Sequence, residues 1–173
     1  MSTVESLLAH PYPLIRGGGL FLLFLGLGFL LSWIFRSRWL VFVIGGFVTG
    51  LTASGLSALL PSLGKPSFIH IAGLAGAIVI EMGLIYLVLT RYKDAGERTL
   101  ILWILLVVGV HFLPMGLAHG PLIVVLGLLL IVNAFVGLRA QRVPMQVFGI
   151  VDGLLKMGFG AVMLLAYPAL TFT

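Results

Sequence analysis

The sequence predicts an all-α polytopic membrane protein, a compact bundle of six transmembrane helices with both termini outside, and three observations carry that prediction. Of 173 residues, 61% are hydrophobic and only 9% charged, against about 45–50% and 25% in soluble domains. The mean hydropathy is +1.24, more apolar surface than a water-soluble core of this size can hide. The apolar residues also fall into six charge-poor runs about 20 residues long, each matching a hydrocarbon core of ~30 Å.

The runs lie at about 14–35, 39–60, 67–90, 99–117, 121–138 and 146–170 and make one transmembrane domain over residues 1–173. Charge, proline and glycine separate them: Arg36-Ser37-Arg38, Pro61 to Pro66, Arg91 to Arg98, His119-Gly120-Pro121, and Arg139 to Pro144, the residues at which helices end. These links are short, so consecutive helices run antiparallel. The first run follows Pro11-Tyr12-Pro13, has no small-residue cleavage pattern and reads as a retained anchor. Residues 1–10, with Glu5, Leu7 and Leu8, are expected to form a short interfacial helix.

Charge placement orients the chain. The first, third and fifth links hold seven cations, Arg36, Arg38, Arg91, Lys93, Arg98, Arg139 and Arg142, against Arg16 and Lys65 on the other side. By the positive-inside rule, both termini face outward. The net charge of +5 is thus a topology signal; no basic stripe for nucleic acid is present. The chain has no cysteine, which excludes disulfides, thiolate metal sites and a cysteine nucleophile. An inverted repeat would place acids of the third and sixth runs at matching depths. Glu81 lies about 14 residues into its run and Asp152 only about 6 into its own, so no such repeat is expected.

Small residues recur on single helix faces: Gly46, Gly50, Ala53 and Ser57 in the second run, Gly73 and Ala77 in the third, and Gly149, Gly153 and Gly160 in the sixth. Such faces let helix backbones approach closely. They allow a homodimer without requiring one.

Six residues lie at depths in the runs where a polar group is expensive, a charge there costing ~2.5–3.5 kcal/mol on insertion scales: Glu81, His111, Asn133, Asp152, Lys156 and, nearer the outer edge, His70. Asp152 and Lys156 are four apart and can neutralise one another on one face. Glu81 breaks that balance, so it must be protonated, bind a cation or reach water. At ~1.5 Å per residue Glu81 lies ~21 Å and Asn133 ~18 Å below the outer boundary, with Asp152 and Lys156 ~9 and ~15 Å above the inner one. A shared polar site is therefore geometrically allowed. His70, 11 residues before Glu81, points the same way about 16 Å along the helix, and Pro114 frees the carbonyl of Val110 beside His111.

The leading functional expectation is a protein that transports or binds a proton, cation or small solute. Glu81 would be its titrating or cation-binding group, Asp152 and Lys156 its electrostatic partners, Asn133 a neutral ligand, and His111 with His70 an outer relay. The alternatives are an intramembrane enzyme acting on a lipid-like substrate through His111, His70 and Ser54, and a membrane scaffold or accessory subunit. Thr52-Ala53-Ser54-Gly55 resembles the Ser-Gly element of rhomboid intramembrane proteases, although the chain lacks that family's His-and-Asn helix and its late His helix. His70, His111 and His119 are metal-ligand residue types without a local zinc spacing. Arg16-Gly17-Gly18-Gly19 follows no strand and is not a phosphate loop, and no cofactor is expected. The expected partners are membrane lipids and a small solute or ion.

The size, the six-run layout and the element His111-Phe112-Leu113-Pro114 resemble small bacterial integral-membrane families of unknown function. That resemblance implies a bacterial inner-membrane protein and transfers no activity or site.

Overall fold

The structure, a computed structural model, describes residues 10–60 and 63–166. Six helices occupy them: α1 Ile15–Ile34, α2 Trp39–Leu56, α3 Phe68–Arg91, α4 Glu97–His119, α5 Pro121–Arg139 and α6 Met145–Leu165. Each is long and apolar enough to cross a membrane, and the chain is a multi-pass membrane protein. The interfacial helix expected in residues 1–10 falls almost wholly outside the described residues.

Helix ends differ from the expected ones by a few residues, for local reasons. The fourth helix starts at Glu97 rather than 99, where a carboxylate suits the positive end of the helix dipole. The second ends at Leu56 and tightens into a 3-10 turn at Ser57–Leu59, and the sixth stops at Leu165 rather than 170. Between α4 and α5, Gly120 adopts φ +93, and a Cβ there would stand 2.8 Å from the Tyr12 ring. Left-handed backbone and ring contact together call for glycine. Through Pro114, α4 continues as one helix.

Packing order is not chain order. The α1 helix packs along both α6 and α2, α4 packs along both α5 and α3, and α5 joins α6. With a slight α1–α4 contact, α1, α6, α5 and α4 form a central four-helix bundle, with α2 outside α1 and α3 outside α4. The two flanking helices are the least buried. Consecutive halves of the chain are therefore not the structural halves, because α6 returns to pair with α1.

Glycine makes that return feasible. A Cβ on Gly26 would lie 2.7 Å from the Gly153 carbonyl oxygen, and one on Gly160 would lie 2.7 Å from the Gly19 oxygen. Gly19 and Gly26, seven apart on α1, thus meet Gly160 and Gly153, seven apart on antiparallel α6, with backbones in direct contact. Similar approaches join Gly28 to Gly46 of α2 and Gly109 of α4 to Gly127 of α5. Apolar side chains fill the space around them. One cluster holds Leu22, Phe112, Leu126, Leu130 and Met163, and a second, nearer the arginine-bearing face, holds Leu102, Leu105, Ala134 and Phe148.

The α1–α6 contact has a direct test. Gly153→Val should lower stability by about 1–3 kcal/mol or more through overpacking, whereas Gly158→Ala, whose Cβ meets nothing within 4 Å, should leave it nearly unchanged. Thermal unfolding in detergent, followed by helix circular dichroism, separates the two.

Candidate functional site

The polar residues of the bundle centre come from three helices. On α6, Asp152 and Lys156 stand one turn apart, are completely buried, and form an ion pair between Lys156 Nζ and Asp152 Oδ2. The i, i+4 spacing puts both on one face, and the flanking Gly153 and Gly160 bring α1 close enough to cover them. Lys156 Nζ lies 4.2 Å from the centroid of the Phe29 ring on α1, a cation–π contact strengthened by desolvation. The second carboxylate oxygen, Asp152 Oδ1, is buried with no hydrogen-bond partner among the described residues. It is a strong acceptor in low dielectric, open to a donor that the packed side chains do not provide.

Glu81 and His111 extend this centre toward the outside of the bundle. Glu81 Oε1 on α3 lies 3.7 Å from His111 Nδ1 on α4. Small residues on the same α3 face make that approach feasible: Ala77 is fully buried, and a Cβ on Gly73 would meet Leu117 of α4 at 2.8 Å. His111 Nδ1 also lies 2.8 Å from the Val108 carbonyl oxygen. In the neutral ring Nδ1–H therefore donates to Val108, which leaves Nε2 as the basic nitrogen. His111 is nearly buried, whereas the Glu81 side chain is 26% exposed. The Lys156 charge acts on both Glu81 and His111.

From the helix ends on the arginine-bearing face, at ~1.5 Å per residue, Asp152 stands ~10 Å, Glu81 ~15 Å, Lys156 ~16 Å and His111 ~21 Å deep. These four groups thus occupy one slab at the middle of the spans. Two acids, one ammonium and one imidazole share it, so the charge balance depends on where protons sit.

The other two predicted residues lie elsewhere. Asn133 Nδ2 on α5 donates to the Phe148 carbonyl oxygen on α6 at 2.9 Å and ties those helices together. His70 works at the start of α3: its Nδ1 accepts from the Ser67 backbone N–H at 2.9 Å, and its Nε2 donates to the Pro11 carbonyl oxygen at 3.0 Å. This capping arrangement anchors the segment before α1. Ser54 of α2 sits against α1, its Oγ 3.0 Å from a Cβ placed on Gly17, and α2 does not pack along α4, which carries His111. Among the described residues no three His, Asp or Glu side chains converge to hold a metal.

Arg98 has a role that charge counting does not reveal. Its guanidinium donates to the carbonyl oxygens of Val143 at 2.8 Å, Gly137 at 2.9 Å and Ala140 at 3.0 Å. Three carbonyls around the α5–α6 turn, of which that of Ala140 also accepts the Val143 N–H, are thereby tied to the first turn of α4. The sequence marks Arg98 only as one more cation of the third link.

The family model described as "Family of unknown function (DUF6609)" matches residues 7–172. The chain belongs to that family. No curated protein and no solved structure matches it.

Breaking the buried pair from one side, by Asp152→Ala or Lys156→Met, should cost about 3–5 kcal/mol because a charge is left alone in the interior. The double variant Asp152→Leu/Lys156→Met should lose much less. Denaturation in mixed micelles, run as a double-mutant cycle, measures the difference.

Proposed function

We propose that this protein binds and passes a proton, cation or small solute within the membrane, with a proton as the simplest cargo. In this reading Glu81 receives the proton at the partly exposed edge of the bundle. His111, held by Val108, takes a proton at Nε2 and releases its Nδ1 proton toward Glu81, or the reverse, and the Lys156–Asp152 pair sets the field that decides which group is charged. The observation that carries the reading is the 3.7 Å approach of Glu81 to His111 in front of the fully buried pair. Ionisable groups inside a membrane are costly and mark pathways more often than packing. An unpartnered Asp152 Oδ1 behind them supplies a further acceptor on the inner side of the chain of groups.

The acyl-transfer alternative draws less support, because Ser54 packs at the α1–α2 contact while His111 pairs with Glu81. By the charge distribution and the bacterial resemblance, we further infer a bacterial inner membrane, with both termini outside and the arginine-bearing face toward the cytoplasm.

The test is flux. In proteoliposomes carrying an internal pH indicator and an imposed potential, the wild-type chain should acidify or alkalinise the lumen. Glu81→Gln and His111→Gln should each lower that rate about tenfold or more, in the range of losses seen for positioned proton-transfer groups. Unaltered flux in a folded Glu81→Gln protein would overturn the proposal. The same assay with Asn133→Ala should show little change in rate beyond its effect on stability.

A further inference from the structure

A second polar site lies away from the buried charge centre, at the arginine-bearing ends of α1, α2 and α4. There a cavity of about 220 Å³ is lined by Trp33, Arg36, Trp39, Glu97 and Ile101. Its aromatic walls are the two indoles, 6.3 Å apart between centroids and inclined at 77°. Trp33 is 2% exposed, with the Nε1 edge of its ring packed on Gly149 of α6, so the indoles give the cavity ring walls and not accessible donors.

The charges at the cavity form a long, solvent-facing ion pair. Arg36 and Glu97 stand 3.7 Å apart with both side chains half exposed or more, too far for a hydrogen bond. The Arg36 guanidinium is also 6.0 Å from the centroid of the Trp33 ring. The cavity thus offers a guanidinium on one side and a carboxylate on the other, with a formal charge that sums to zero. A purely anionic group would be repelled by Glu97, and a purely cationic one by Arg36. A group carrying a phosphate and an ammonium meets both, the phosphate on the Arg36 guanidinium and the ammonium on the Glu97 carboxylate. A primary ammonium can donate hydrogen bonds to Glu97, which a quaternary one cannot. Ile34, Phe35 and Leu40 beside the cavity are exposed apolar residues, so acyl chains would have a surface to follow.

We propose that this cavity binds the headgroup of a phosphoethanolamine-type phospholipid in the leaflet at the arginine-bearing face. The site is independent of the Glu81 centre and does not require transport.

The experiment is lipid retention by the full chain, delipidated in detergent and titrated with phosphatidylethanolamine, phosphatidylglycerol and phosphatidylcholine of matched acyl chains, read by native mass spectrometry. Phosphatidylethanolamine should be retained about fivefold more strongly than either of the others, a difference of about 1 kcal/mol. Glu97→Gln should erase that preference, Arg36→Gln should weaken all three lipids, and Arg142→Gln, on another link, should change nothing. Ile101→Trp, which fills the cavity without altering a charge, should also abolish the preference, and it serves if Glu97→Gln does not fold. Equal or stronger retention of phosphatidylglycerol by the wild-type chain would overturn the proposal. So would a preference that survives in folded Glu97→Gln or Ile101→Trp protein. Soluble phosphoethanolamine should compete only weakly; competition as strong as that of the lipid would overturn the assignment to a lipid.

Discussion

The first and last helices of the chain meet backbone to backbone, and the rest of the bundle depends on that contact. Gly19 and Gly26 of α1 face Gly160 and Gly153 of α6 with no side chain between them. In a membrane, where lipid tails are as apolar as the helix surfaces, such close approach supplies the dispersion energy that burial from water supplies elsewhere. It also closes a central bundle from helices at opposite ends of the chain, and leaves α2 and α3 on the flanks.

The same contact makes the buried charges tolerable. Lys156 lies between Gly153 and Gly160 on α6, so the approach that joins the glycines also lays the Phe29 ring over the ammonium. With Asp152 one turn away the ammonium is neutralised, and its complete burial screens it from lipid. An ion pair in this environment adds little to stability over a matched apolar pair, and its loss from one side is severe. Retaining it beside a second acid and an imidazole makes the interior of the bundle sensitive to proton position, the property on which the proposed function rests.

Several features were legible because they depend only on neighbours along the chain. Hydrocarbon thickness sets the length of the six runs, and glycine, proline and charge mark where they stop. The four-residue spacing of Asp152 and Lys156 guarantees a shared face whatever packs against it. Depth along the helix was equally accessible, so Glu81 could be placed near the level of Lys156 from residue counts alone. Depth does not fix direction around the axis. Asn133 lies at a compatible depth yet turns to the Phe148 carbonyl, and His70, on the same face as Glu81, is used to cap α3 and hold Pro11. Arg98 shows the same limit, since its three carbonyl partners lie 39 to 45 residues away. The Trp33–Trp39 cavity was visible only as an aromatic and charged helix end until α4 brought Glu97 and Ile101 against it.

By itself the sequence determined that this is a six-helix membrane protein, where each helix starts and ends to within a few residues, and that one acid in the membrane lacks a partner on its own helix. These follow from the cost of exposing polar groups to hydrocarbon, which acts on every residue locally. The tertiary structure decided that His111 is the ionisable group facing that acid, that α6 rather than α2 or α3 completes the core with α1, and that the indoles at the arginine-bearing face line a cavity. Those outcomes depend on the rotation and order of the helices. In a lipid solvent that rewards no particular apolar face, rotation and order are set by which small residues allow close contact between distant parts of the chain.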